Sequence, residues 1–302
     1  MSRNLPASPA IPLAVATLGI ASFSMMDVLM KGLSISLGAY NAMLWRMVVG
    51  MTIGAMLFFG TRAPWPARST FKLHLLRGSI AAIMALCFFW GLARVPIAEA
   101  IALSFIAPLI TLYLAAVMLG EKVSRAAILA TMMGFGGVLV ILSARATGEF
   151  KPEILKGIAA ILFSAILYAY NLILQRKQAQ IASPIEIVFF QNLTAGSVLM
   201  LVAPWLAIVP AVSHAPTILA STVLAIIALL LLSWAYARAE AQVLVPVEYT
   251  AFIWAALFGW IYYNEAVTIT TYIGTGLIVA GCVIAARQKP GTAPEHVEAT
   301  AL

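Results

Sequence analysis

Five ionisable residues interrupt otherwise apolar stretches of the chain: Asp27, Arg46, Glu99, Glu186 and Glu248. An ionisable group at membrane depth costs ~2.5–3.5 kcal/mol on insertion scales, and such groups face a protein interior or a wet cavity. Glu99 and Glu186 stand near expected helix starts, where the helix dipole favours negative charge, so capping competes with ligand binding for both. Arg46 stands several residues inside its stretch and needs a carboxylate or an anionic ligand. Asp27, Arg46 and Glu99 fall at one expected depth, so Arg46 is expected to be held by Asp27 or Glu99. A zwitterion can exchange with such a pair, its carboxylate meeting the guanidinium and its ammonium the carboxylate. Glu186 and Glu248 fall close in depth to Arg238 at the opposite end.

A second set is aromatic or amide-bearing: Trp90, Tyr168, Asn171, Trp234, Tyr236 and Tyr249. Trp90 and Trp234 each precede an arginine by one helical turn, Arg94 and Arg238, and are candidates for gating or for lining a cavity. Trp65, Trp205 and Trp260 read instead as an interfacial belt. Pro108 removes a backbone donor in mid-helix and is expected to act as a hinge; Pro246 lies nearer a helix start. Glu121 and Glu265 directly precede the next apolar stretch and are expected to cap the helix that follows.

Catalytic constellations are missing from the sequence. There is no G-x-S-x-G, no H-E-x-x-H and no Walker-type G-x-x-x-x-G-K-[ST], and His74, His214 and His296 fall at span ends, in a loop or in a tail. Cys87 and Cys282 sit in separate apolar runs and read as small buried residues. No enzyme, metal site or cofactor is expected, and nothing suggests ATP-driven pumping by this chain alone.

The elements that must position these side chains follow from composition. Of 302 residues 63% are hydrophobic and 10% charged, against ~45–50% and ~25% in soluble domains. Apolar windows fall at Ile11–Met30, Tyr40–Phe59, Leu73–Leu92, Ile97–Leu119, Arg125–Ser143, Gly157–Gln175, Ser183–Val209, Thr217–Ala237, Gln242–Tyr262 and Thr268–Ala286. Each is about the ~20 residues a bilayer requires, so the expectation is an all-α integral membrane protein of ten transmembrane helices. Residues 1–10 and 288–302 are polar tails, expected to be disordered. The net charge of +7 reads as a topology signal rather than a nucleic-acid footprint. Basic residues gather on the side of Arg3, Arg62, Arg68, Lys72, Arg77, Lys122, Arg125, Arg176, Lys177, Arg238, Arg287 and Lys289. The other side holds Lys31, Arg94, Arg145, Lys151 and Lys156, an imbalance that puts both termini in the cytoplasm.

A shift of 144 residues aligns Trp90 with Trp234, Arg94 with Arg238, Ala107 with Ala251, Glu121 with Glu265 and Gly137 with Gly281. It also lays Ser24, Asp27 and Lys31 over Tyr168, Asn171 and Gln175, two polar stripes at helical spacing. Residues 11–143 and 157–286 are therefore expected to form two repeats. With five spans each, the second enters the membrane in the opposite sense, an arrangement that places a substrate site between the halves near mid-membrane. Ala130, Gly134, Gly136 and Gly137 of the fifth span, and Gly274, Gly276, Ala280 and Gly281 of the tenth, suit close helix packing. Gly50 and Gly54 form a G-x-x-x-G in the second span.

Ala107-Pro108 through Leu119-Gly120-Glu121-Lys122-Val123, followed by Gly134, Gly136 and Gly137, resembles the repeat signature of the drug/metabolite transporter superfamily, of the EamA type with two five-helix repeats. The second copy departs from it, with Phe252 where Pro108 would fall and Tyr263-Asn264-Glu265 in place of Leu-Gly-Glu. Within the superfamily the chain looks most like bacterial aromatic amino-acid exporters. The resemblance implies a cavity bordered by spans one to four and six to nine, and an inner-membrane carrier that exports neutral and aromatic amino acids by alternating access. Export of another small metabolite or drug is the alternative; an intramembrane enzyme, a channel or a receptor fits less well.

Overall fold

In the computed structural model the described residues are 10–107, 109–110, 114, 125–146, 152–236 and 249–286, and no strand occurs among them. They form ten helices of eight residues or more, beside the single turns Ala203–Leu206 and Val212–His214: α1 (Ala10–Leu37), α2 (Ala39–Gly60), α3 (Arg68–Leu92), α4 (Ile97–Ser104), α5 (Arg125–Ala146), α6 (Pro152–Ile181), α7 (Pro184–Met200), α8 (Ala215–Tyr236), α9 (Thr250–Tyr263) and α10 (Ile269–Ala286). A backbone in hydrocarbon must satisfy its own hydrogen bonds, and helices do so locally. Five segments, in α1, α2, α3, α6 and Val212–Leu232 through most of α8, are long and apolar enough to cross a bilayer. Apolar side chains such as Met56, Phe135, Ile166, Ile253 and Ile273 lie exposed, where lipid takes the place of a protein neighbour. The chain is an all-α, multi-pass membrane protein.

Helix pairing repeats itself between the halves. α1 packs on α8 as α6 packs on α3, α3 meets α7 as α8 meets α2, and α1 meets α9 as α6 meets α4. Three further contacts, α2 with α7, α4 with α9 and α5 with α10, join elements that the 144-residue shift exchanges, whereas α1 meets α2 more extensively than α6 meets α7. Small residues permit these crossings. A Cβ on Gly137 would fall 2.5 Å from the Gly274 carbonyl oxygen, and one on Gly274 would fall 2.5 Å from that of Gly137. A Cβ on Gly54 would lie 3.1 Å from Phe189 Cα, and one on Gly50 would overlap the Asn192 amide, so the second span's G-x-x-x-G is the seat of α7.

Several boundaries differ from the sequence expectation. α1 continues past Met30 to Leu37, and Gly38 then turns the chain into α2 with φ of 77°, a conformation open to glycine. α7 stops at Met200 rather than Val209, followed by a helical turn at Ala203–Leu206. The chain then folds back over α2: Asn41 Oδ1 accepts from the Ile208 N–H at 2.8 Å, and Trp45 Nε1 donates to the Ile208 carbonyl at 2.8 Å. α3 begins at Arg68 and α6 extends from Pro152 to Ile181, which places Lys72, Lys156 and Lys177 inside helices rather than in flanking loops. Pro108, Glu121 and Glu248 lie outside the described residues.

Candidate functional site

α1 and α2 bring Asp27 and Arg46 together toward the end of the bundle that holds the α1–α2 turn. Arg46 is 8% exposed, and its Nε has no hydrogen-bond partner among the described residues. One terminal nitrogen lies 3.7 Å from Met43 Sδ, and the guanidinium sits 6.0 Å from the centre of the Phe89 ring. Asp27 and Arg46 act on one another electrostatically, but they do not close an ion pair, which departs from the expected grip of Asp27 on the guanidinium. Glu99, the other expected partner, is buried and bears on Lys31 instead.

Lys31 corrects the topology count, because it is no loop residue. It is buried in α1, ion-paired with Glu265, donates to the Val95 carbonyl at 2.8 Å and lies 5.2 Å from the Tyr263 ring centre. Glu265 in turn accepts from the Ile97 N–H at 2.7 Å. It therefore caps α4, not the helix that follows it in sequence. The left-handed Asn264 at the end of α9, φ 52°, makes the turn from which Glu265 reaches across, and Tyr263 donates to the Val28 carbonyl at 2.8 Å. A cavity of about 180 Å³ opens beside this junction, lined by Glu99, Glu265, Thr268 and Thr271 among apolar residues of α4, α9 and the turns that precede α4 and α10.

The opposite end carries a longer buried network. His74 and Arg77 of α3 meet Asn171 and Gln178 of α6 and Glu186 of α7. His74 Nε2 lies 2.8 Å from Glu186 Oε1, and its Nδ1 meets the Gln178 side-chain nitrogen. Arg77 Nη1 donates to Gln178 Oε1 and its Nε to Asn171 Oδ1 at 3.3 Å. Tyr168 acts electrostatically on Arg77. Ser183 caps α7, its hydroxyl accepting from the Glu186 N–H at 3.2 Å, so the carboxylate of Glu186 is left to the imidazole.

The aromatic candidates separate. Trp90 is covered by Arg94, whose guanidinium lies 3.5 Å from the ring centre; Arg94 also donates to Glu153 at 3.1 Å. Tyr249 packs edge-on against Phe105 at 5.3 Å. Trp234 is 37% exposed near the end of α8, which closes at Tyr236. Trp65, Trp205 and Trp260 are all exposed, and Cys87 is a free thiol.

Lys31, His74, Arg77 and Gln178 were not among the intramembrane candidates. One signal for them was available: Tyr168, Asn171, Gln175 and Gln178 continue the α6 stripe by one more turn, and His74 and Arg77 share an α3 face at a spacing of three.

Two inverted halves with buried charge at both ends are the arrangement of a carrier. The chain belongs to the EamA-like transporter family, which it matches over residues 10–143 and 155–287, and so to the drug/metabolite transporters. It is 25% identical over 279 residues to a pseudopaline exporter of Pseudomonas aeruginosa, covering 92% of this chain and 96% of that one. Similarity extends to a riboflavin transporter of Brucella anthropi, 28% identical with 82% and 88% coverage. An S-adenosylmethionine uptake transporter of Rickettsia prowazekii is 24% identical with 92% and 94% coverage. One crystal structure, 21% identical, shares the fold with a TM-score of 0.61 over 92% of this chain and 97% of the other.

Proposed function

We propose that the protein is a secondary transporter that exports neutral and aromatic amino acids, with broad selectivity, by alternating access across a bacterial inner membrane, both termini cytoplasmic. The observation that carries this reading is Arg46, a buried guanidinium with an unpartnered Nε, beside an Asp27 that does not pair with it. An α-carboxylate matches the guanidinium fork, Asp27 suits the ammonium, and Phe89 supplies an apolar face. Apolar walls discriminate a methylene by only ~1–3 kcal/mol, so several side chains fit. Export rather than uptake follows the pseudopaline exporter, which this chain matches over nearly its whole length. The varied substrates named for the relatives favour, as the second reading, export of a different small metabolite.

Proteoliposomes loaded with phenylalanine, tryptophan, threonine or methionine test the proposal. Protein-dependent efflux of these amino acids is expected, and flux of a sugar or nucleotide with none of them would overturn it.

A further inference from the structure

The network of α3, α6 and α7 is a hydrogen-bond chain whose direction is fixed. A guanidinium only donates, so the Gln178 side-chain oxygen must face Arg77 and its NH2 must face His74 Nδ1. Nδ1 therefore accepts. A neutral imidazole then carries its single proton on Nε2 and donates it to Glu186 Oε1, 2.8 Å away. The ring is 1% exposed and stacks on Phe190 with 4.7 Å between centroids and 18° between planes, so it cannot turn over to relieve a clash.

A second proton can enter only at Nδ1, where it confronts the Gln178 NH2, donor against donor. Turning the amide by half a revolution satisfies His74 but sets the NH2 against Arg77, donor against donor again. Protonation of His74 thus expels Arg77 from Gln178 and leaves it with Asn171 and the neighbouring Tyr168 on the α6 stripe.

We infer that His74 is a proton-binding site that couples transport to the proton gradient, with Gln178 relaying its charge state to Arg77. In each cycle Nδ1 takes up one proton from one side and releases it to the other while cargo moves the opposite way; only that N–H bond forms and breaks. Among the described residues, the charged groups bearing on His74 are Glu186 from α7 and Arg77 of α3 itself. α6 contributes neutral Gln178, with Tyr168 beyond it and Lys177 exposed. α3 itself also carries the exposed Arg68 and Lys72, and Arg62 is exposed just past the end of α2; Arg46 of α2 bears on Asp27 of α1, and Lys31 of α1 on Glu265 and Glu99, in the cluster at the other end of the bundle.

The inference rests on the transport reading, yet one arm of its test does not. In purified protein labelled with 15N-histidine, neutral His74 is expected as the Nε2–H tautomer, with the second proton arriving at Nδ1 on acidification. Gln178→Glu, which offers acceptors to both neighbours, should raise the titration midpoint, and Glu186→Gln should lower it. An Nδ1–H tautomer, no titration, or midpoints unmoved by both variants would overturn the inference whatever the cargo. In proteoliposomes with an imposed pH gradient and no membrane potential, wild type should concentrate phenylalanine by up to about tenfold per pH unit. His74→Gln should only equilibrate it, and accumulation by that variant would refute coupling through His74. Should His74→Gln move nothing, Gln178→Glu must shift the pH dependence of wild-type transport upward, and an unchanged profile is equally fatal. If no amino acid moves in any protein, the cargo reading fails while the titration still decides the site.

Discussion

Removing the carboxylate of Glu265 should destabilise the fold, and then removing Lys31 as well should restore part of the loss. Their side chains are 18% and 6% exposed. Glu265→Leu strands two groups, the Lys31 ammonium and the Ile97 N–H. An uncompensated buried charge costs ~3–5 kcal/mol and an orphaned buried donor ~1–3 kcal/mol. Lys31 cannot escape by reaching for water, because six residues separate it from Leu37, about 9 Å of helix. Lys31→Met is milder: Glu265 keeps the Ile97 N–H, stands at the positive end of α4 and is the wetter partner. Met in place of Lys31 in the Glu265→Leu background removes the stranded cation and leaves mainly the orphaned amide, a gain of about 2 kcal/mol or more over Glu265→Leu alone. Reversible unfolding in mixed detergent and SDS micelles, followed by tryptophan fluorescence as a double-mutant cycle, reads these differences directly. If the double variant is less stable than Glu265→Leu, the ion pair is not what holds this junction and the reasoning fails.

Arg46→Ala should abolish transport of amino acids while Arg46→Lys restores only part of it, since an ammonium lacks the planar fork; normal flux through a folded Arg46→Ala protein would remove the guanidinium from the site. Gly54→Val should cost ~1–3 kcal/mol, because its Cβ would press on Phe189 backbone at 3.1 Å. Gly136→Ala has nothing within 4 Å of its new carbon and should gain ~0.5–1 kcal/mol, so equal losses from both substitutions would argue against the α2–α7 crossing. Reporters placed after Leu302 and in the segment 63–70 should read cytoplasmic, and one at 146–153 external; a cytoplasmic signal from the last would mean that a span was miscounted in the first half.

Helix number and pairing were readable because lipid makes long apolar windows obligatory and because rare residues recur at one spacing. Trp90 with Trp234 and Glu121 with Glu265 need no contact information to be noticed. Charge location was harder to read. Lys31 looked like the close of a span, since a cation after twenty apolar residues usually marks the interface; only its partners in the α9–α10 and α3–α4 turns, remote in sequence, let it stay inside. His74 was placed at a span edge for the same reason, though Gln178 and Glu186, from two other helices, surround it. Arg46 was legible as a buried cation, but its failure to close on Asp27 depends on side-chain geometry that spacing does not specify.

The two halves share a backbone plan but are not decorated alike. Asp27 and Asn171 occupy matched places, yet the cation beside the first comes from α2 and the cation beside the second from α3. In a carrier whose halves were identical, swapping their conformations would give the inward- and outward-open forms equal energy, and the empty protein would dwell equally in both. Unequal side chains lift that degeneracy, and each ~1.4 kcal/mol of difference changes the ratio of dwell times tenfold. Under the alternating access proposed above, the resting orientation would be set by a few polar residues at the two ends rather than by the helices, and exchanging those residues should retune it without altering the scaffold.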